Sequence, residues 1–127
     1  MQKPRLSPGV VIAVLALLVL VVKTCFPEFG EVETGLASYY SSSLEGRETA
    51  SGEVYRESRL TAAHRDIPLG SEVRVTNLDN GKSVVVQIND RGPYDDDRII
   101  DLSKAAAKKL DFLKEGTAKV KIEMAAD

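Results

Sequence analysis

Hydrophobic and polar residues alternate in three places along this chain, and each alternation predicts a half-buried strand. Glu72-Val73-Arg74-Val75-Thr76 is the first, and Ser83 to Ile88 is the second, with Val84, Val86 and Ile88 on one face. The third runs near the end, where Ala118, Val120, Ile122 and Met124 are predicted inward and Lys119, Lys121 and Glu123 outward. Between the first two lies Asn80-Gly81, a pair that tolerates positive φ at both positions and predicts a hairpin. Leu36 to Tyr40 is a short β-prone segment, and Thr61-Ala62-Ala63 reads as a strand of small residues. Ser103 is placed to cap a helix from Lys104 to about Leu110, whose closing Lys108 and Lys109 suit the negative end of the helix dipole. Ser41 to Arg59 is polar and aperiodic; so long a loop inside a small domain is functional or disordered. Several short strands with one helix predict a small all-β sandwich or barrel.

The start of the chain has a different pattern. Lys3 and Arg5 precede an unbroken run of 13 apolar residues, Val10 to Val22, which Lys23 closes. A basic segment followed by such a run is the signature of an export signal. As a helix it covers roughly 20 Å, short of the ~30 Å hydrocarbon core. Cys25 sits where a lipoprotein signal places its acylated cysteine, so an acylated Cys25 and an uncleaved amino-terminal anchor are both open readings. Either puts residues 26–127 outside the cytoplasmic membrane. The expected organisation is therefore a signal or anchor over 1–25, a tether over 26–34 carrying Pro27 and three glutamates, and one domain over 35–127.

Composition narrows the chemistry. The 127 residues contain one Cys and one His, which excludes an internal disulfide framework, a multi-thiolate metal site and a zinc centre of the two-His or three-His kind. Beyond residue 25 there are 14 basic and 19 acidic side chains, so nothing marks a nucleic-acid partner. No cofactor or metal is expected. Reactivity must come from carboxylates, hydroxyls, arginines or the single His.

A series of segments then carries a resemblance: Gly35-Leu-Ala-Ser-Tyr-Tyr40, Gly46-Arg-Glu-Thr-Ala-Ser-Gly-Glu53, Thr61-Ala-Ala-His64, Pro68-Leu-Gly70, Asn89-Asp-Arg-Gly-Pro-Tyr94 and Arg98-Ile-Ile-Asp-Leu-Ser103. In order and spacing they resemble the rare lipoprotein A family over about residues 35–124. The resemblance implies a six-stranded double-psi β-barrel with one short helix. It also implies an exported, usually lipid-anchored protein. Active members are lytic transglycosylases that cleave peptidoglycan glycan strands. Expansins share the fold, so the barrel alone does not fix the reaction. A non-catalytic, expansin-like glycan-binding module that loosens the wall is the alternative reading. Two stretches depart from the family pattern: Ser38-Tyr39-Tyr40-Ser41 replaces a Ser-Trp-Tyr-Gly run, and Leu44-Glu45-Gly46 replaces an aromatic-His-Gly stretch.

Glycosidic cleavage needs an acid to protonate the leaving oxygen and a way to stabilise oxocarbenium character. In a lytic transglycosylase the muramic C6 hydroxyl attacks C1 within the same sugar, so no water nucleophile is needed. One carboxyl can serve first as acid and then as base. Asp90, at the end of the Val84–Ile88 strand and before Gly92-Pro93, reads from the residues alone as either a turn aspartate or that acid; the resemblance implies the acid. Glu53 and His64 match the family's two other functional positions, and all three are expected to line one groove. Taken without the resemblance, Glu53 is a solvated loop residue and His64 a satisfied core histidine. Tyr39, Tyr40 and Tyr94 are candidate platforms for sugar rings. Arg91 reads as a substrate clamp or as a lock on the Asp90 loop. Asp101 reads as a tie between that loop and the helix entrance, and Asp95, Asp96 and Asp97 as a solvated loop tip. The expected partner is peptidoglycan glycan, with the membrane engaged through the first segment or Cys25.

Overall fold

The computed structural model describes residues 29–95 and 97–125. The apolar run, Cys25 and Asp96 lie outside the described residues. Six strands close into a barrel: β1 (Phe29–Tyr39), β2 (Thr61–Ala63), β3 (Glu72–Asn77), β4 (Ser83–Asp90), β5 (Arg98–Leu102) and β6 (Ala118–Ala125), in the spatial order β1-β5-β2-β4-β3-β6. The β1/β5 and β2/β4 pairs are parallel, and the remaining pairs, including the β1/β6 closure, are antiparallel. One short helix, α1 (Lys104–Lys109), packs against β4 and β1. This is the all-β barrel with a single helix that the resemblance implies.

The alternating segments do what their pattern predicts. Val73, Val75, Val84, Val86, Val120 and Ile122 are all buried in one core with Ile88, Ile100 and Leu102. Each such side chain contributes roughly 1.5–3 kcal/mol by leaving water. Helix α1 adds Ala106, Ala107 and the following Leu110 to the same core. Its start is set by Ser103, fully buried, whose hydroxyl accepts from the Ala106 N–H at 3.3 Å.

Two local expectations are corrected, and two features that the pattern does not reveal are added. Strand β1 begins at Phe29, so the barrel takes in most of the segment read as a tether, and its domain starts before Gly35. That stretch is held by its backbone ladder to β6 rather than by buried side chains: Gly30, Glu31, Val32 and Thr34 are exposed. In the β3–β4 hairpin only Gly81 takes positive φ, at 76°. Asn80 instead uses its side chain, accepting from Lys82 N–H at 2.9 Å and donating to Leu110 O at 3.0 Å. Arg98–Leu102 forms a strand where the sequence shows no period-two pattern. Glu123 is on the outer face of β6 and is largely covered there by Arg74, whose guanidinium donates to both of its oxygens at 3.2 and 3.3 Å.

Candidate active site

Where β1, β4 and β5 end or begin at one end of the barrel, a cleft of about 510 Å³ opens. Its walls come from the end of β1 with the loop after it, the 90–94 segment at the end of β4, β5, and Ala63 of β2. The hydrophobic strands fix these stretches, and polar contacts then set the side chains.

Asp90 closes β4, next to β2 in parallel register with Ala63. Its carboxylate lines the cleft and accepts three hydrogen bonds. Oδ1 accepts from the backbone N–H of Ala50 and from that of Arg91, both at 2.9 Å. Oδ2 accepts from the Tyr40 hydroxyl at 2.5 Å, within the range of a charge-assisted O–H···O⁻ bond. Two donors on Oδ1 fill its lone pairs, which leaves Oδ2 as the oxygen able to exchange a proton with a substrate in the cleft.

The donors to Asp90 are themselves held. Ala50 belongs to a tight loop in which Thr49 N–H and the Thr49 hydroxyl both donate to Glu53 O, at 2.8 and 2.7 Å, and Ser51 N–H donates to Asn89 O. Tyr40 stacks on the buried Tyr55 with ring centroids 4.6 Å apart. Burial, reinforced by the Asp90 carboxylate at its hydroxyl, holds the Tyr40 phenol well above the ordinary tyrosine range. Burial raises Tyr55 as well, partly offset by the hydrogen bond from Lys104 N–H.

A second carboxyl faces the same cleft. Asp101 on β5 lines it, and its Oδ1 accepts from the Ser38 hydroxyl at 2.5 Å and from Arg98 at 2.6 Å. The tie from Asp101 to the helix entrance is therefore replaced by one to β1 and to its own strand. Arg98 bridges Asp101 and Asp95, and the hydrogen bond from Arg98 holds the Asp95 carboxyl below its usual range. Arg91 also lines the cleft, while its guanidinium donates to His64 O at 3.1 Å and Ile67 O at 2.7 Å, the geometry of a lock on the loop.

Of the residues expected in one groove, the structure brings together Asp90, Tyr39, Tyr40, Arg91 and Tyr94. Glu53 and His64 are not among the lining side chains. Glu53 is exposed on the loop that supplies Ala50, and its link to the cleft is the backbone clip from Thr49. His64 is 4% exposed; its Nδ1 accepts from the N–H groups of Asp66 and Ile67, each at 3.1 Å. Nδ1 is thus the acceptor, so the proton sits on Nε2 and is donated to Glu33 at 2.9 Å. Its backbone N–H donates to Asp90 O at 3.1 Å, so His64 frames the site from behind. Tyr39 turns its hydroxyl to Leu113 O at 2.8 Å and meets Phe112 in a T-shaped contact, which leaves Tyr94, 79% exposed, as the freest aromatic face.

Three contributors escaped the sequence reading. Arg65 pins the 93–98 segment, donating to the backbone oxygens of Pro93, Asp95 and Arg98. Arg98 orients Asp101. Arg47 lines the cleft from the long loop. Their only signal was a cluster of arginines flanking candidate acids.

Comparison with known proteins places this geometry. A family model described as lytic transglycolase matches residues 32–122. The chain is 60% identical over 89 residues to the endolytic peptidoglycan transglycosylase RlpA of Pseudomonas aeruginosa (strain UCBPP-PA14), covering 70% of this chain and 26% of that protein. It is 57% identical over 91 residues to the RlpA of Neisseria meningitidis serogroup A (strain DSM 15465 / Z2491), covering 72% and 38%. It thus spans between a quarter and two fifths of the length of these curated relatives. Among solved structures it is similar to the Streptomyces papain inhibitor, with a TM-score of 0.62 and 26% identity over 80% of this chain and 100% of that one. It is similar too to the apo expansin of Clavibacter michiganensis, with a TM-score of 0.58 and 22% identity over 74% and 50%, a likeness of fold alone. The barrel is a double-psi β-barrel. The chain belongs to the lytic transglycolase family.

Proposed function

We propose that this chain is an endolytic lytic transglycosylase of peptidoglycan, acting in the cell envelope, and that Asp90 is its acid and then its base. The observation that carries this reading is the Asp90 carboxylate, fixed by three donors at the floor of an open cleft with Oδ2 the oxygen left for proton exchange. Protonated Asp90 gives its proton to the glycosidic oxygen as the C1–O bond breaks. The muramic C6 hydroxyl then attacks C1 and returns its proton to Asp90, leaving a 1,6-anhydro end. Asp101, the second carboxylate on the cleft, supplies negative charge toward the developing oxocarbenium ion. Tyr94 offers its face to a sugar ring. Glu53 and His64 support Asp90 from outside the cleft, one through the loop carrying Ala50 and the other through the turn that Arg91 locks. The names of the curated relatives support the substrate class. The apolar run, with or without an acylated Cys25, holds the protein at the membrane.

The test is mass spectrometry of purified glycan strands after incubation with the chain and with Asp90→Asn. Anhydromuramic ends from the wild type alone support the reading. Reducing ends would mean hydrolysis, and glycan binding by both proteins without any cleavage would mean a wall-loosening module.

A further inference from the structure

Tyr40 was expected to be a platform for sugar, yet the structure gives its ring and hydroxyl other work. One ring face lies on Tyr55, and the hydroxyl donates at 2.5 Å to Asp90 Oδ2. Oδ1 is already filled by two N–H groups, so Tyr40 touches the one Asp90 oxygen that can hold the mobile proton.

We infer that Tyr40 is a positioning residue for proton transfer, whose hydroxyl stabilises the Asp90 carboxylate as it forms in the transition state. This rests on Asp90 being the acid. When Oδ2 carries the proton, the Tyr40 hydroxyl bonds a neutral carboxyl group. As the proton passes to the glycosidic oxygen, negative charge appears on Oδ2 and the same bond becomes charge-assisted and stronger. An interaction stronger in the transition state than in the ground state raises kcat without altering substrate binding. The Tyr40 proton stays on Tyr40 throughout, in keeping with a phenol held above its ordinary range. The charged and titratable groups around the pair are Tyr55 on the long loop, Arg98 and Asp101 on β5, Arg91 beside Asp90, Arg47 and Glu48 on the cleft wall, and Tyr39 and Tyr94 on the same cleft.

The experiment uses the whole chain in detergent, with wild type, Tyr40→Phe, and a protein carrying 3-fluorotyrosine at position 40 alone. Rates of anhydromuramic product formation are measured against pH and substrate. Tyr40→Phe keeps the ring on Tyr55 and loses only the donor. Its kcat should fall about ten- to a hundredfold, the worth of one hydrogen bond to a charged group, with KM changed less than about twofold. The alkaline limb of its kcat profile should move to higher pH, because the ionised acid has lost a stabilising donor. Fluorotyrosine, a more acidic donor, should move that limb to lower pH in a protein that keeps every ring, which decides the matter even if Tyr40→Phe folds poorly. A cleaving wild type whose limb stays put in both proteins overturns the role of Tyr40 alone. A wild type that yields no anhydro ends overturns the functional reading, and this inference with it.

Discussion

The wall formed by β3, β4 and β6 and the rim formed by the 40–55 and 90–98 segments obey different rules. In the wall, alternating apolar side chains share one continuous core, so each residue's contribution is spread over many neighbours. On the rim, each polar group answers to a few named partners, as Asp90 does to Ala50, Arg91 and Tyr40. A lost methyl group in the wall costs stability in proportion to the cavity it leaves, whereas a lost atom on the rim costs a specific step. Evolutionary or engineered change should therefore separate the two readouts cleanly.

The sharpest test pairs one residue from each region. Asp90→Asn should lower glycan cleavage by about 10²–10⁴-fold, the usual range for a proton-transfer group, with the melting temperature nearly unchanged. Ile122→Ala, in the wall, should cost about 2–5 kcal/mol in urea unfolding, while the protein that remains folded cleaves at the wild-type rate. An Asp90→Asn protein that unfolds, or an Ile122→Ala protein that folds but is inactive, would break the distinction.

His64 lies on the boundary between the regions. His64→Ala leaves the Asp66 and Ile67 N–H groups without their acceptor, so a loss of about 1–3 kcal/mol is expected in denaturant unfolding. Cleavage by this variant should recover at lower temperature if the residue acts through the turn, and stay low if the imidazole itself handles protons.

The smallest effect is expected at Arg74 and Glu123 on the outer surface of the wall. The hydrogen bond from Arg74 lowers the Glu123 carboxyl below its ordinary value, so the pair's stabilisation is present above the unfolded carboxylate value and is lost as pH falls through the folded one. Thermal melts of Glu123→Gln between pH 3 and 6 should accordingly show a flatter acid decline than the wild type, with the two curves converging at the acid end.

What could be read from the sequence follows the same division. Val73, Val75, Val84, Val86, Val120 and Ile122 announce their burial by period alone, and Ser103 announces a helix start by chemistry alone. Asp90 could be placed at the end of a strand, but not two of its three donors, because Ala50 and Tyr40 are 40 and 50 residues away along the chain. The first half of β1 was illegible for the opposite reason: its backbone ladder to β6 leaves no trace in side-chain pattern. His64 was read as facing the groove because nothing local reveals that Glu33, 31 residues earlier, sits at its Nε2. Period reports which residues share a core, and it is silent on polar partners brought together by closure.

The direction of β1 also orients the molecule. Phe29 enters the barrel paired with Ala125, whereas Tyr39, ten steps further on, reaches the cleft. At about 3.3 Å per residue, the cleft lies up to roughly 33 Å along the strand from the point where the chain arrives. If the membrane segment proposed above is attached ahead of Phe29, that proposal has the barrel standing on its Phe29–Ala125 end with the cleft turned away from the membrane. On that proposal the length of β1 sets how far from the membrane the cleft is held.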